Sequence, residues 1–90
     1  MMYPFMTLPD ETEIVHSELR PDMTVQVYIE KPDEKDGFHN VSCFLPRYEW
    51  RDNSGFSETE IKRYQEIVES TAHLILEFAE TGGILNASGF

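Results

Sequence analysis

Glu69, His73 and Glu77 recur at intervals of four residues. On a helix that spacing sets a carboxylate, an imidazole and a second carboxylate one turn apart along a single ridge. Such a donor set could hold a divalent metal ion. Catalytic zinc, however, takes three protein ligands from a concave, partly dry setting, whereas a convex ridge meets water on every side. The expectation is therefore a solvated face on which protonated His73 makes favourable pairs with its glutamates, with neither metal nor cofactor bound.

His39 and Cys43 are four apart on a stretch that alternates like a strand, so they share one side, and His16 can lie on a neighbouring strand. A His/Cys cluster of this kind binds zinc or activates a thiol. Cys43, however, stands between Val41 and Leu45 on the apolar side of its segment, where a free cysteine behaves as a small hydrophobe. His39, next to Phe38 after a turn glycine, reads as the start of the strand.

Nucleophile-elbow, P-loop, zinc-protease and dinucleotide-binding patterns are missing from the sequence. Asp10, Asp33, Asp36 and Asp52 fall in expected loops without the glycine-containing frame of a calcium loop. Nothing nominates a general acid and base. A third candidate is aromatic: RYEWR supplies Arg47, Tyr48, Trp50 and Arg51 within five residues, the three side-chain types favoured at the centres of protein interfaces. The competing role for Trp50 is to plug the core where strand meets helix.

These residues must be positioned by one domain. Ninety residues, 40% of them hydrophobic, suffice for a single core and not for two. Seventeen acidic residues against seven basic ones give a formal charge of −10, a field that repels phosphate backbones and anionic headgroups. Direct nucleic-acid binding and membrane association are not expected. One cysteine excludes an internal disulfide, and the start, MMYPFMTLPDETE, lacks the basic and apolar segments of a secretory signal, so the expected location is the cytoplasm.

Pro-Asp occurs at Pro9-Asp10, Pro21-Asp22 and Pro32-Asp33, at spacings of about a dozen residues that suit an antiparallel meander. No sequence repeat is read alongside them, so a solenoid is not expected. TVQVYIE (24–30) alternates with Val25, Val27 and Ile29 on one face, and NVSCFL (40–45) with Val41, Cys43 and Leu45 on one face. KPDEKDG between them reads as a hairpin loop. EIVHSEL (13–19) reads as a strand of open face assignment, FMTL (5–8) as a short edge strand, and Tyr48 with Trp50 as an edge extension after Pro46 ends its strand.

The helix is the best-specified element. Ser57 and Glu60 form a capping box, and Phe56 with Ile61 a hydrophobic staple. Ile61, Tyr64, Ile67, Val68, Ala72, Ile75, Phe78 and Ala79 share one arc, and Gly82-Gly83 supplies the stop. From 57 to 81 it would span roughly 36 Å, against about 23 Å for a seven-residue strand. Such a helix must cross the sheet diagonally or overhang it, leaving Leu74, Ile75 and Phe78 to be covered by the tail (84–90) or by a second subunit. That tail is expected to be disordered or to serve as the covering segment.

The expected fold class is α+β: a small antiparallel β-meander of three or four strands with one long C-terminal α-helix packed on one face. The expected function is that of a small acidic protein-interaction module, non-enzymatic and homodimeric or bound to another protein. Competing expectations are an acidic decoy that shows carboxylates to a basic nucleic-acid-binding protein, and a small metal protein or enzyme using His16, His39, Cys43 or His73.

Overall fold

The computed structural model describes residues 2–81. The chain forms β1 (Met2–Thr7), β2 (Glu13–Ser17), β3 (Val25–Asp33), β4 (Gly37–Leu45), β5 (Glu49–Ser54) and α1 (Glu58–Thr81), the strands pairing antiparallel in sequence order. The α+β meander with one long C-terminal helix is thus present. Its sheet has five strands rather than three or four, because both aromatic flanks, MYPFMT and the segment after Pro46, join as edges.

Two turns are built alike, from a short pattern not read as a repeat above: P-D-x-T stands at Pro9–Thr12 and again at Pro21–Thr24. In each, the aspartate Oδ1 accepts from both the hydroxyl and the N–H of the threonine two residues on. The intervening Glu11 (φ 70) and Met23 (φ 67) take the left-handed conformation that closes a bulged hairpin. The third Pro-Asp has no such threonine. Strand β3 therefore runs on through Asp33, and the segment expected as a loop contributes three residues to it.

That extension corrects the length argument. Nine-residue β3 and β4 span about 30 Å, close to the roughly 36 Å of the helix. The helix follows β2, with the Tyr64 hydroxyl 3.4 Å from Thr12 Oγ1 before that strand and the Leu19 N–H donating to Ala79 O at 3.2 Å after it. Ile75 is fully buried, and Phe78 packs on Phe5 with centroids 6.1 Å apart; of the three side chains expected to need cover, only Leu74 is exposed. Strand β1, absent from the expected core, supplies that cover. The expected covering role of 84–90 lies outside the described residues.

Two long cross-strand rows run over the inner face, Tyr3, His16, Val27, Cys43 and Trp50, and Met6, Ile14, Ile29 and Val41, flanked by the pairs Val25–Leu45 and Lys31–His39. Phe5 on β1 and Trp50 on β5 both pack against the core. The capping box forms as expected, with Ser57 N–H donating to Glu60 Oε1 and Glu60 N–H to Ser57 Oγ. Phe56 and Ile61 both meet the core.

Candidate functional site

Glu69, His73 and Glu77 are exposed along α1. Their ligand atoms do not gather within 4.8 Å of one another, as a metal centre would require.

His16 and Cys43 share a cross-strand row, but Val27 stands between them, so two strand spacings of about 4.8 Å each separate their backbones. Both are fully buried. Burial, reinforced by the Glu69 charge, pushes the Cys43 thiol up to about 12, which leaves it protonated and unreactive. His16 packs between Tyr3 and Phe5, and its Nδ1–H donates to Ser17 O at 2.8 Å. Nε2 has no hydrogen-bond partner among the described residues.

His39 lies at the other end of the inner face. Its Nε2 is 3.0 Å from Asp36 Oδ2 and 3.5 Å from Asp33 Oδ2, and the Asp36 N–H donates to Asp33 Oδ2 at 3.0 Å. These three donors are the one group among the described residues able to converge on a metal ion. The imidazole is held in place from behind. Gly55 leaves room for it, since a Cβ there would stand 2.2 Å from His39 Cδ2, and the Phe56 ring meets it edge-on at 5.6 Å. Two carboxylates and an imidazole suit a divalent transition metal with open coordination positions. The sequence signal is the spacing Asp33, Asp36, His39, which assigning the aspartates to a loop and the histidine to a strand start concealed.

The outer sheet face carries the remaining candidates. Pro4, Val15, Tyr28, Ser42 and Arg51 form a row across all five strands, and Gln26, Phe44 and Glu49 form the row beside it. Gln26 Nε2 donates to Ser42 Oγ at 3.1 Å, beside half-buried Val15, Tyr28 and Phe44. Burial, then the nearby Glu30, raises the Tyr28 hydroxyl above its ordinary value.

Within RYEWR the side chains divide between faces. Trp50 belongs to the inner row and packs against the core, whereas Arg47, Tyr48 and Arg51 are exposed. Arg47 and Arg51 join Arg20, Asp22, Thr24, Glu49 and Phe44 around a cleft of about 220 Å³. The guanidinium carbons of Arg20 and Arg51 stand 5.5 and 5.1 Å from the Phe44 centroid, within cation–π range. Arg20 was not among the sequence candidates; it arrives because the β2–β3 and β4–β5 turns share one end of a meander.

No helix among the described residues is long and apolar enough to cross a membrane. No family model, curated protein or solved structure matches the chain.

Proposed function

We propose that the protein is a non-enzymatic interaction module of the cytoplasm, docking a protein partner on the outer face of its sheet. The observation that carries this reading is the half-buried group Val15, Tyr28 and Phe44 on the face opposite the helix, with Arg20, Arg47 and Arg51 gathered beside it. Aromatic side chains next to arginines are the composition of interface centres.

Docking by strand addition is the poorer alternative, because both sheet edges are blunted. Strand β1 carries Pro4 and a bulge, and β5 is short, charged and irregular, with Asp52 at φ 58. The open face has no such guard.

Light scattering over a concentration series tests the reading, with self-association as the first case. The wild-type mass should rise above the 10.5 kDa monomer with concentration, and Tyr28→Glu should hold it there. If Tyr28→Glu associates as the wild type does, the docking surface lies elsewhere.

Divalent-cation binding is a second reading, favoured by the convergence of Asp33, Asp36 and His39. Calorimetric titration with zinc should then give one site that Asp36→Asn removes. Equal heats in both proteins would dismiss it.

A further inference from the structure

We propose that the outer sheet face receives an arginine side chain of its protein partner, seated between Glu13 and Glu30 with its guanidinium over the Phe38 ring. The inference rests on the outer face being the docking surface, and it adds the chemistry that recognises the occupant.

Strand register builds the site. Thr7, Glu13, Glu30, Asn40 and Ser54 form a row across all five strands, next to the Tyr28 row, and Pro32 faces Phe38 one step farther out. Strand alternation puts Glu30 and Pro32 on the same face as Tyr28. The β1–β2 turn brings Leu8 and Glu11 to this end, and together these residues line a cleft of about 370 Å³. Phe38 is 56% exposed, so its ring is open to a partner.

Charge distinguishes this cleft from the one at the other end of the face. There Arg20, Arg47 and Arg51 have Asp22 and Glu49 among them, and Arg51 is ion-paired with Glu49. Here three glutamates line the cleft and no lysine, arginine or histidine does. Glu13 and Glu30 lie directly opposite each other on β2 and β3, an unfavourable like-charge pair. Lys31, next to Glu30 in sequence, is turned to Asp10 and Glu60 instead. Glu11, Glu13 and Glu30 form no ion pair among the described residues, so a cation from outside would meet carboxylates that no base of this chain already holds.

The geometry favours arginine over lysine. Directly opposed residues of an antiparallel pair hold their Cβ atoms about 5 Å apart, which puts both carboxylates within reach of one group. A planar guanidinium can donate to two carboxylates while its flat face rests on a ring, and a point-charge ammonium cannot do both. Its aliphatic stem would lie along Leu8 and Pro32. The same sheet face already contains this combination at its other end, where Arg20 and Arg51 stand 5.5 and 5.1 Å from the Phe44 centroid and Glu49 holds Arg51. At Phe38 the ring and the carboxylates belong to this chain, and the partner contributes the guanidinium. The net charge of −10 attracts any basic segment from a distance, so only a comparison at equal charge isolates the cleft.

The probe is the capped peptide acetyl-Val-Arg-Val-Arg-Val-amide, titrated into the full chain and followed by amide resonances and calorimetry. The same peptide with citrulline in place of arginine keeps the shape and removes the charge. The arginine peptide should shift Thr7, Glu13, Glu30 and Phe38, and the citrulline peptide should not. Glu13→Gln with Glu30→Gln should weaken binding at least about fivefold, and Phe38→Ser about threefold, each variant being checked for folding by circular dichroism. Glu66→Gln with Glu69→Gln removes the same charge from the helix and should weaken it less than about twofold. Equal weakening by the two glutamine pairs, or equal binding of the citrulline peptide, would overturn the arginine site. If Tyr28→Glu abolishes association while the cleft stays silent toward the peptide, the docking face stands and only its arginine occupant falls. Peptide shifts at the cleft in a protein whose association Tyr28→Glu leaves unchanged would support the cleft and overturn the wider face.

Discussion

The Tyr64 hydroxyl lies 3.4 Å from Thr12 Oγ1, joining the second turn of the helix to the first turn of the sheet across 52 residues. Thr12 donates its one hydroxyl proton to Asp10 at 2.7 Å, so the Tyr64 O–H is the donor. Both residues are fully buried. The contact is long and the ring is large, which separates two effects. Tyr64→Phe should cost under about 1 kcal/mol, and Tyr64→Ala about 3–5 kcal/mol, because the second change opens a cavity under the helix. Urea denaturation measures both; equal costs would mean that the hydroxyl, not the ring, anchors the helix.

Asp10 sits at the other end of that chain of hydrogen bonds. The Thr12 hydroxyl, with help from Arg63 at 3.0 Å and the Thr12 N–H, holds its carboxyl well below the usual carboxylate range against a smaller opposing effect of burial. A folded-state value below the unfolded one, about 3.9, contributes stability that is complete above that pH and lost as pH falls toward the folded value. Stability should therefore decline from about pH 4 downward, and Asp10→Asn should flatten part of the decline. The check is the urea midpoint of both proteins between pH 6 and 2; parallel curves would remove Asp10 from the account.

Gly55 and Gly37 offer a paired comparison. Both have positive φ, 98 and 84, but a Cβ at Gly55 would overlap the His39 ring whereas the space at Gly37 is open. Gly37→Ala should cost about 1 kcal/mol for backbone strain alone. Gly55→Ala should cost at least about 1 kcal/mol more and displace the imidazole from Asp36, visible as a shift of the His39 ring resonances. Equal costs would show that the ring yields freely.

Much of this architecture is legible in the residues. Ser57 and Glu60 announce the helix, its apolar arc meets the core, and alternation orients β3 and β4, because burial on one side dictates residue type. The edges are less legible, since β1 and β5 alternate poorly around Pro4 and the turn formers near Asp52. A charged composition also disguised the end of β3, where Lys31 reaches Asp10 and Glu60 instead of open solvent. Sites assembled by topology were the hardest to read. Arg20 and Arg47 are far apart in sequence and meet only because alternate turns of a meander share an end, while Trp50 and Arg51, adjacent in sequence, are sent to opposite faces.

The central claim is that protein docks on the outer face of the sheet. Backbone amide resonances followed from dilute to concentrated solution test it residue by residue. The account predicts shifts and broadening at Val15, Tyr28, Ser42 and Phe44, with Glu66, Glu69 and His73 unmoved. Changes confined to the helix ridge, with the outer sheet face silent, would contradict it.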